Sequence, residues 1–416
     1  MRCAAICSLL SLMLLSTSLP AQEWTRFRGP NGDGQSQATT VPGSWTADDY
    51  NWKVELPGVG HSSPVIWKDR IYLLSADPTA GTRYVLCVNA ADGKTIWKQE
   101  FVGTPHHLHA LNSYASCTPA VDADHVYVAW SNPKETLLKA LDHQGHEVWS
   151  VDMGPWVSQH GYGSSPVVVD DIVVITKSQE VNKRNDGATP GESFVLAVDR
   201  KTGKERWKTA RTTDTTTYST PCIRNLPDGT KEIVCCSTAE GIFALDPKTG
   251  KDKWALKVFS QRTVSSPLLV GDFVVGTTGS GGGGNYIVAV KPGEKPEEVY
   301  RVKTQAPYVP TPVQRGDKLF LWFDGGIVTC IDTKTAQVHW RERIGGKFWG
   351  SPICVADKIY CISEAGEVVV LAAEDKFKEI SRIPLGDGSH STPAVSGGRM
   401  YLRTYSHLFS IGGKST

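Results

Sequence analysis

The chain has 416 residues, with 44 Lys and Arg against 43 Asp and Glu and a formal charge of +1. So even a balance excludes electrostatic capture by nucleic acid or by an anionic membrane surface. The length would accommodate two or three domains, but the internal repeats described below assign nearly all of it to one.

The first residues, Met1-Arg2, an apolar run from Cys3 to Leu15 and the small-residue stretch ending at Ala21, have the three-part pattern of a secretory signal peptide. Residues 1–21 are therefore expected to be removed, leaving 43 basic and 43 acidic residues. The run is too short for a resident membrane helix, and no later stretch reaches the roughly 18 apolar residues one needs. Cys3 and Cys7 lie before the cut, so no lipid anchor is expected. A monomer without an integral membrane segment, periplasmic or secreted, is the expected form. An N-terminal arm covers 22–48 and a propeller 49–413.

From residue 63 onward one landmark recurs, Ser or Thr followed by Pro at the head of a β-branched apolar run. Its members are Ser63, Thr118, Ser165, Thr220, Ser266, Thr311, Ser351 and Thr392. The spacings, 55, 47, 55, 46, 45, 40 and 41 residues, match propeller blades. About thirty residues after each Pro, a polar turn is followed by an aromatic: Trp97, Trp149, Trp207, Trp254, Tyr300 and Trp340, with Ile380 in the seventh unit. Short period-two runs between the landmarks predict strands a to d, and Pro suits the first residue of strand a. The eighth unit supplies three strands. Tyr50–Leu56, with Trp52 in the Trp position, supplies the fourth, so an N-terminal strand closes the ring. The predicted fold is all-β: an eight-bladed propeller of four-stranded antiparallel blades.

The segments Ala197–Trp207 and Ala244–Trp254 resemble the tryptophan-docking repeats of pyrroloquinoline-quinone (PQQ) dependent alcohol dehydrogenases. The same repeat occurs in BamB-type assembly lipoproteins and in exported PQQ-like proteins, and Trp24–Gly34 is similar to the lead-in of the last group. The resemblance spans about Asp49 to Ile411. It implies a PQQ-like propeller of the quinoprotein alcohol dehydrogenase-like superfamily, and fold alone does not give function.

In such a ring the residues preceding each Ser/Thr-Pro surround the channel mouth. The candidate ligand-binding set is His61, His107, His109, Asn112, Tyr114, His160, Arg211, Tyr218, Arg262, Trp349 and His390, with Tyr162 and Tyr308 beside them. The loops from strand d to strand a contain six His and the cations Arg211, Arg262 and Lys347, but only Asp214 and Asp387 as carboxylates. Calcium-held PQQ needs several oxygen ligands and a catalytic base, which this inventory does not supply, and no Cys-x-x-Cys-His for haem is present. No cofactor is expected, PQQ with calcium being the alternative that the resemblance implies. No catalytic residues are assigned. His106, His107 and His109 lack the partners of a zinc site. The expected function is a non-catalytic binding or scaffolding module for an envelope protein or a small anionic or polyhydroxyl ligand, with a PQQ-dependent oxidoreductase as the alternative.

Gly279–Gly284 is read as a loop between strands b and c, and Glu180–Glu192 as an inserted loop that decorates the surface or meets a partner. Counting from the turns sets Cys354 opposite Cys361 and Cys222 opposite Cys235. Cys235 and Cys236 fall on opposite faces of one strand, and buried free thiols are the expected state.

Overall fold

The computed structural model describes residues 23–180, 191–213 and 215–413; the segment expected to be a signal peptide, most of the blade-three insertion and Asp214 lie outside them. Eight four-stranded antiparallel sheets follow one another, and blade one shows the pattern: a, Val65–Trp67; b, Arg70–Ala76; c, Arg83–Asn89; d, Thr95–Phe101. Blade eight combines Ala394–Ser396, Arg399–Arg403 and His407–Gly412 with Trp52–Glu55 from the other end of the chain. Trp52 pairs with Ser410 and Glu55 with His407. No helix among the described residues is long and apolar enough to cross a membrane.

The Ser/Thr of each landmark has a structural task. Its backbone amide donates to the side-chain hydroxyl of the equivalent residue in the next blade, at 2.9–3.1 Å, and blade eight returns to blade one through Thr392 and Ser63. Seven of the eight junctions make this bond; the exception is Ser165 to Thr220. Because the following Pro has no N–H, strand a begins without a competing donor.

Farther out, the d-strand Trp52, Trp97, Trp149, Trp207 and Trp340 dock on the c–d turn of the following blade, whereas Trp254 donates to Glu232 of its own blade. Trp149 Nε1 donates to Arg200 O at 3.1 Å, and Gly203 sits under the indole at φ 70°. A Cβ at Gly203 would lie 2.8 Å from the ring, and Gly145 meets Trp97 in the same way. Blade five carries the smaller Tyr300, whose hydroxyl donates to Thr333 O at 3.0 Å, and there the turn tolerates Ala336 at φ 60°. In blade seven the register corrects the expectation for Ile380. Ser381 faces Val370, and Ile380 is the residue skipped at the bulge. Here the arm intervenes. Tyr360 Oη donates to Pro42 O and Ser381 Oγ to Gly43 O, while Trp45 is buried in the cluster joining blades seven and eight.

The arm before that point crosses the channel on the side away from the mouth. Trp24 O accepts from Ile66 N in blade one and Thr25 O from Val121 N in blade two. Asn31 exchanges two hydrogen bonds with Ile223 of blade four, and Gln35–Ser36 pairs in parallel with strand a of blade seven.

The cysteine register differs from the expected one. Cys222 faces Val234, and Cys354 faces Ile359, because the turns are one and two residues away from the lengths assumed. Cys235 and Cys236 enter different core clusters, and all eight described cysteines are free and buried. Burial pushes their thiols up, to about 12 for Cys117, Cys222 and Cys354.

Two measurements follow. Native protein should resist iodoacetamide at pH 8 and take up eight labels, one per described cysteine, once denatured; labelling of the folded protein would contradict the buried thiols. Gly203→Ala should cost roughly 2–4 kcal/mol in urea unfolding, from left-handed strain plus overpacking against Trp149. Ala336→Gly, at a joint built around Tyr300, should be neutral or up to about 1 kcal/mol stabilising.

Candidate functional site

The loops joining d to a and b to c converge on one face, where they enclose a cavity of about 730 Å³. All eight landmark residues line its base, and Phe27 of the arm reaches it from below. The ring that closes the fold is therefore also the floor of the cavity.

Of the expected set, His61, His109, Asn112, His160, Tyr218, Arg262, Trp349 and His390 line the cavity, together with Tyr308 and Lys347. Three expected residues do not. Arg211 lies between blades three and four, paired with Asp252 at 2.8 Å and stacked 4.5 Å over Phe243. Tyr114 is turned toward its own loop, with its hydroxyl donating to His106 O at 2.6 Å. His107 is exposed on that loop, outside the lining. Asp387 accepts from Ser406 instead of facing the cavity, Tyr162 packs edge-on against Trp156, and Asp214 lies outside the described residues.

On the wall between blades eight and one, His61 and His390 stack with centroids 4.3 Å apart, between Trp349 and Tyr405. Burial lowers His390 to about 4, against a smaller opposing effect of Glu364. Burial, then His390 and Arg403, hold His61 well below the usual imidazole range. Both rings are neutral near pH 7. In the neighbouring loops leading into blades two and three, His109 and His160 lie 4.5 Å apart, and Asn112 Nδ2 donates to His160 O at 2.5 Å. Tyr218 Oη shares a 2.7 Å hydrogen bond with Ser158.

Two carboxylates near the cavity were missed by the sequence reading, which counted only d-to-a loops. Asp324, in the b–c hairpin of blade six, accepts the amides of Tyr308 at 2.7 Å and Val309 at 2.9 Å. Its burial outweighs these bonds and raises it to about 6. Glu180, at the start of the blade-three insertion, forms a buried ion pair with Arg262 and accepts Gln159 N at 2.5 Å. Phe27 was also missed, because nothing in a linear pattern aims an arm residue into a channel. Among the described residues, no group of three or more His, Cys, Asp or Glu is arranged to hold a metal ion.

A family profile described as outer membrane protein assembly factor BamB matches residues 45–294 and 283–378. No curated protein matches the chain. Among solved structures, BamB from Moraxella catarrhalis aligns at 15% identity and TM-score 0.60, over 86% of this chain and 97% of its own. The quinohemoprotein alcohol dehydrogenases ADHIIG of Pseudomonas putida HK5 and that of Comamonas testosteroni align at 14% and 13% identity. Each has a TM-score of 0.63 and is covered over 81% of its length by 95% of this chain. At these identities the likeness is one of fold.

The imidazole pair sets a pH dependence. His390 is lowered in the folded state, so the unfolded chain binds more protons between about pH 6.5 and 4, and stability falls as pH drops through that window. Asp324, being raised, acts in the opposite sense between about 6 and 3.8. Urea unfolding from pH 7 to 4 should therefore show wild type losing stability relative to His390→Phe, and gaining it relative to Asp324→Asn. Parallel curves would contradict both environments.

Proposed function

The chain belongs to the PQQ-like β-propeller family, within the quinoprotein alcohol dehydrogenase-like superfamily, and we propose that it is an exported, non-catalytic, monomeric binding propeller for a small polyhydroxylated ligand in its mouth cavity. One observation carries this reading, the floor of eight hydroxyls. At seven junctions a hydroxyl accepts a backbone amide; the Ser165 hydroxyl also donates to the Cys117 sulfur, and Thr311 Oγ1 also accepts from Ser265 Oγ at 3.3 Å. A hydroxyl has one proton and two lone pairs, so, Ser165 apart, one that accepts an amide can still donate to a ligand oxygen. Trp349, Tyr308 and Phe323 add apolar faces to the cavity lining, and Phe27 adds one from the arm. Hydroxyl donors between aromatic walls suit a sugar-like molecule, which alternates polar edges with C–H faces.

The two carboxylates support binding over catalysis. Asp324 is committed to two loop amides and Glu180 to Arg262. Glycosidic cleavage needs a pair of free acids.

PQQ fits this donor set only in part. Arg262 and Lys347 match its carboxylates, but calcium takes six to eight oxygen ligands, and no such group is assembled here among the described residues. Cys235 and Cys236 lie on opposite faces of a blade-four strand. No quinone step is derived for this chain. The match to the BamB profile supports an additional protein partner in the cell envelope.

Calorimetric titration with a panel of neutral and acidic mono- and oligosaccharides is expected to give binding with at least one, weakened about tenfold or more by Trp349→Ala, a loss of about 1.4 kcal/mol. A panel without heat, or affinity indifferent to Trp349, would sink the reading.

A further inference from the structure

We propose that the hydroxyl floor is an anion site, so that the natural ligand carries a carboxylate or sulfate group, as an acidic saccharide does. This deepens the mouth-cavity reading and rests on it for the location of the ligand.

The argument starts from three buried cations around the ring. Phe27 reaches the cavity, and its neighbours Arg26 and Arg28 turn into the blades just beneath it. Arg28, with no exposed surface, donates to the carbonyls of Thr311 at 3.2 Å, Pro312 at 2.7 Å and Pro352 at 2.6 Å. Thr311 is itself a floor residue. Arg26 donates to the carbonyl of Pro221, next to floor residue Thr220, and its Nε and Nη1 have no partner. Arg403 donates to Ser62 O at 2.7 Å and Leu74 O at 2.5 Å, beside floor residue Ser63, and its Nε and Nη2 are likewise unmatched. Each of the three side chains therefore sits within one residue of the ring.

None of the three has an ion-pair partner among the described residues, and every acceptor named is a neutral carbonyl. Burial accordingly lowers Arg26 and Arg28 to about 10 and Arg403 to about 9. The contrast with the cavity's own Arg262 is informative, because that side chain is matched by Glu180. Buried charge is ordinarily paired; here the Asp33 carboxylate acts on Arg26 and Arg28 without forming an ion pair with either, and Arg403 has no such neighbour among the described residues. Above the cations stand the floor hydroxyls, of which Ser165 donates to the Cys117 sulfur and the others accept amides or line the cavity. An anion resting on the floor would collect O–H donors directly and feel the three guanidiniums through a poorly screened interior.

The test uses the full mature protein and two kinds of probe. Inorganic sulfate, compared with chloride at matched ionic strength, should raise the melting temperature, and galacturonate should bind at least tenfold more tightly than galactose by calorimetry. Thr311→Val removes one floor hydroxyl, and Thr311→Ser keeps it. The sulfate response and the galacturonate preference should shrink in the first variant and persist in the second. Equal binding of galactose and galacturonate, with no sulfate response, would overturn the anion site while leaving the mouth reading intact. A sulfate response lost in Thr311→Val, without binding of any saccharide, would uphold the anion site and overturn the polyhydroxyl ligand. A response equal in Thr311→Val and wild type would place the anion elsewhere and overturn the proposal.

Discussion

Ring closure in this protein depends on a bond only one atom deep. At seven of the eight junctions a blade gives the amide that precedes its first proline to a hydroxyl of the next blade, and the series returns to its start at Thr392 and Ser63. A single such bond contributes on the order of 1 kcal/mol. Its value lies in geometry, because a hydroxyl at the head of every strand a holds neighbouring blades at one fixed spacing. Serine and threonine alternate around the circle. The Trp-on-turn joints repeat the same coupling at larger radius, where Trp97 and Trp149 lie against Gly145 and Gly203. Inner polar ring and outer aromatic ring together leave each blade little freedom to tilt.

The N-terminal arm adds a second level of cross-linking. Between Trp24 and Ser36 it bonds to blades one, two, four, six and seven, and at Trp45 it fills the place where blade seven has Ser381 instead of an aromatic. It also closes the channel from below, so that a tube becomes a cup. The base of that cup carries the buried arginines, and its wall carries neutral imidazoles. Charge is held beneath the surface that a ligand would touch.

Most of the architecture was legible in the sequence because it repeats. Ser/Thr-Pro and the turn before Trp each recur at fixed offsets, and the split blade follows from counting strands. What failed was whatever depends on local register. A bulge shifts the blade-seven position from Ile380 to Ser381, and short turns shift Cys222 and Cys354 from their assumed partners. For the site, proximity to a Ser/Thr-Pro marked the mouth for residues such as Trp349 and His390. It misled for Arg211, which ends a d strand and turns outward to Asp252, and for Tyr114, which closes its own loop. Asp324 and Phe27 were invisible because one sits in the other loop family and one arrives from 30 to 40 residues before the first blade.

The split blade also dictates an order of assembly. Trp52 finds its strand partner at Ser410, and Arg28 finds its carbonyls at Thr311 and Pro352, so the earliest residues to leave a ribosome wait for the latest. Contacts so distant in sequence are slow to form, and until they do blade eight lacks its outer strand and presents an unpaired edge. A chain built this way cannot close its ring before blade eight has been made, so until then it is an open row of blades held only by joints between neighbours.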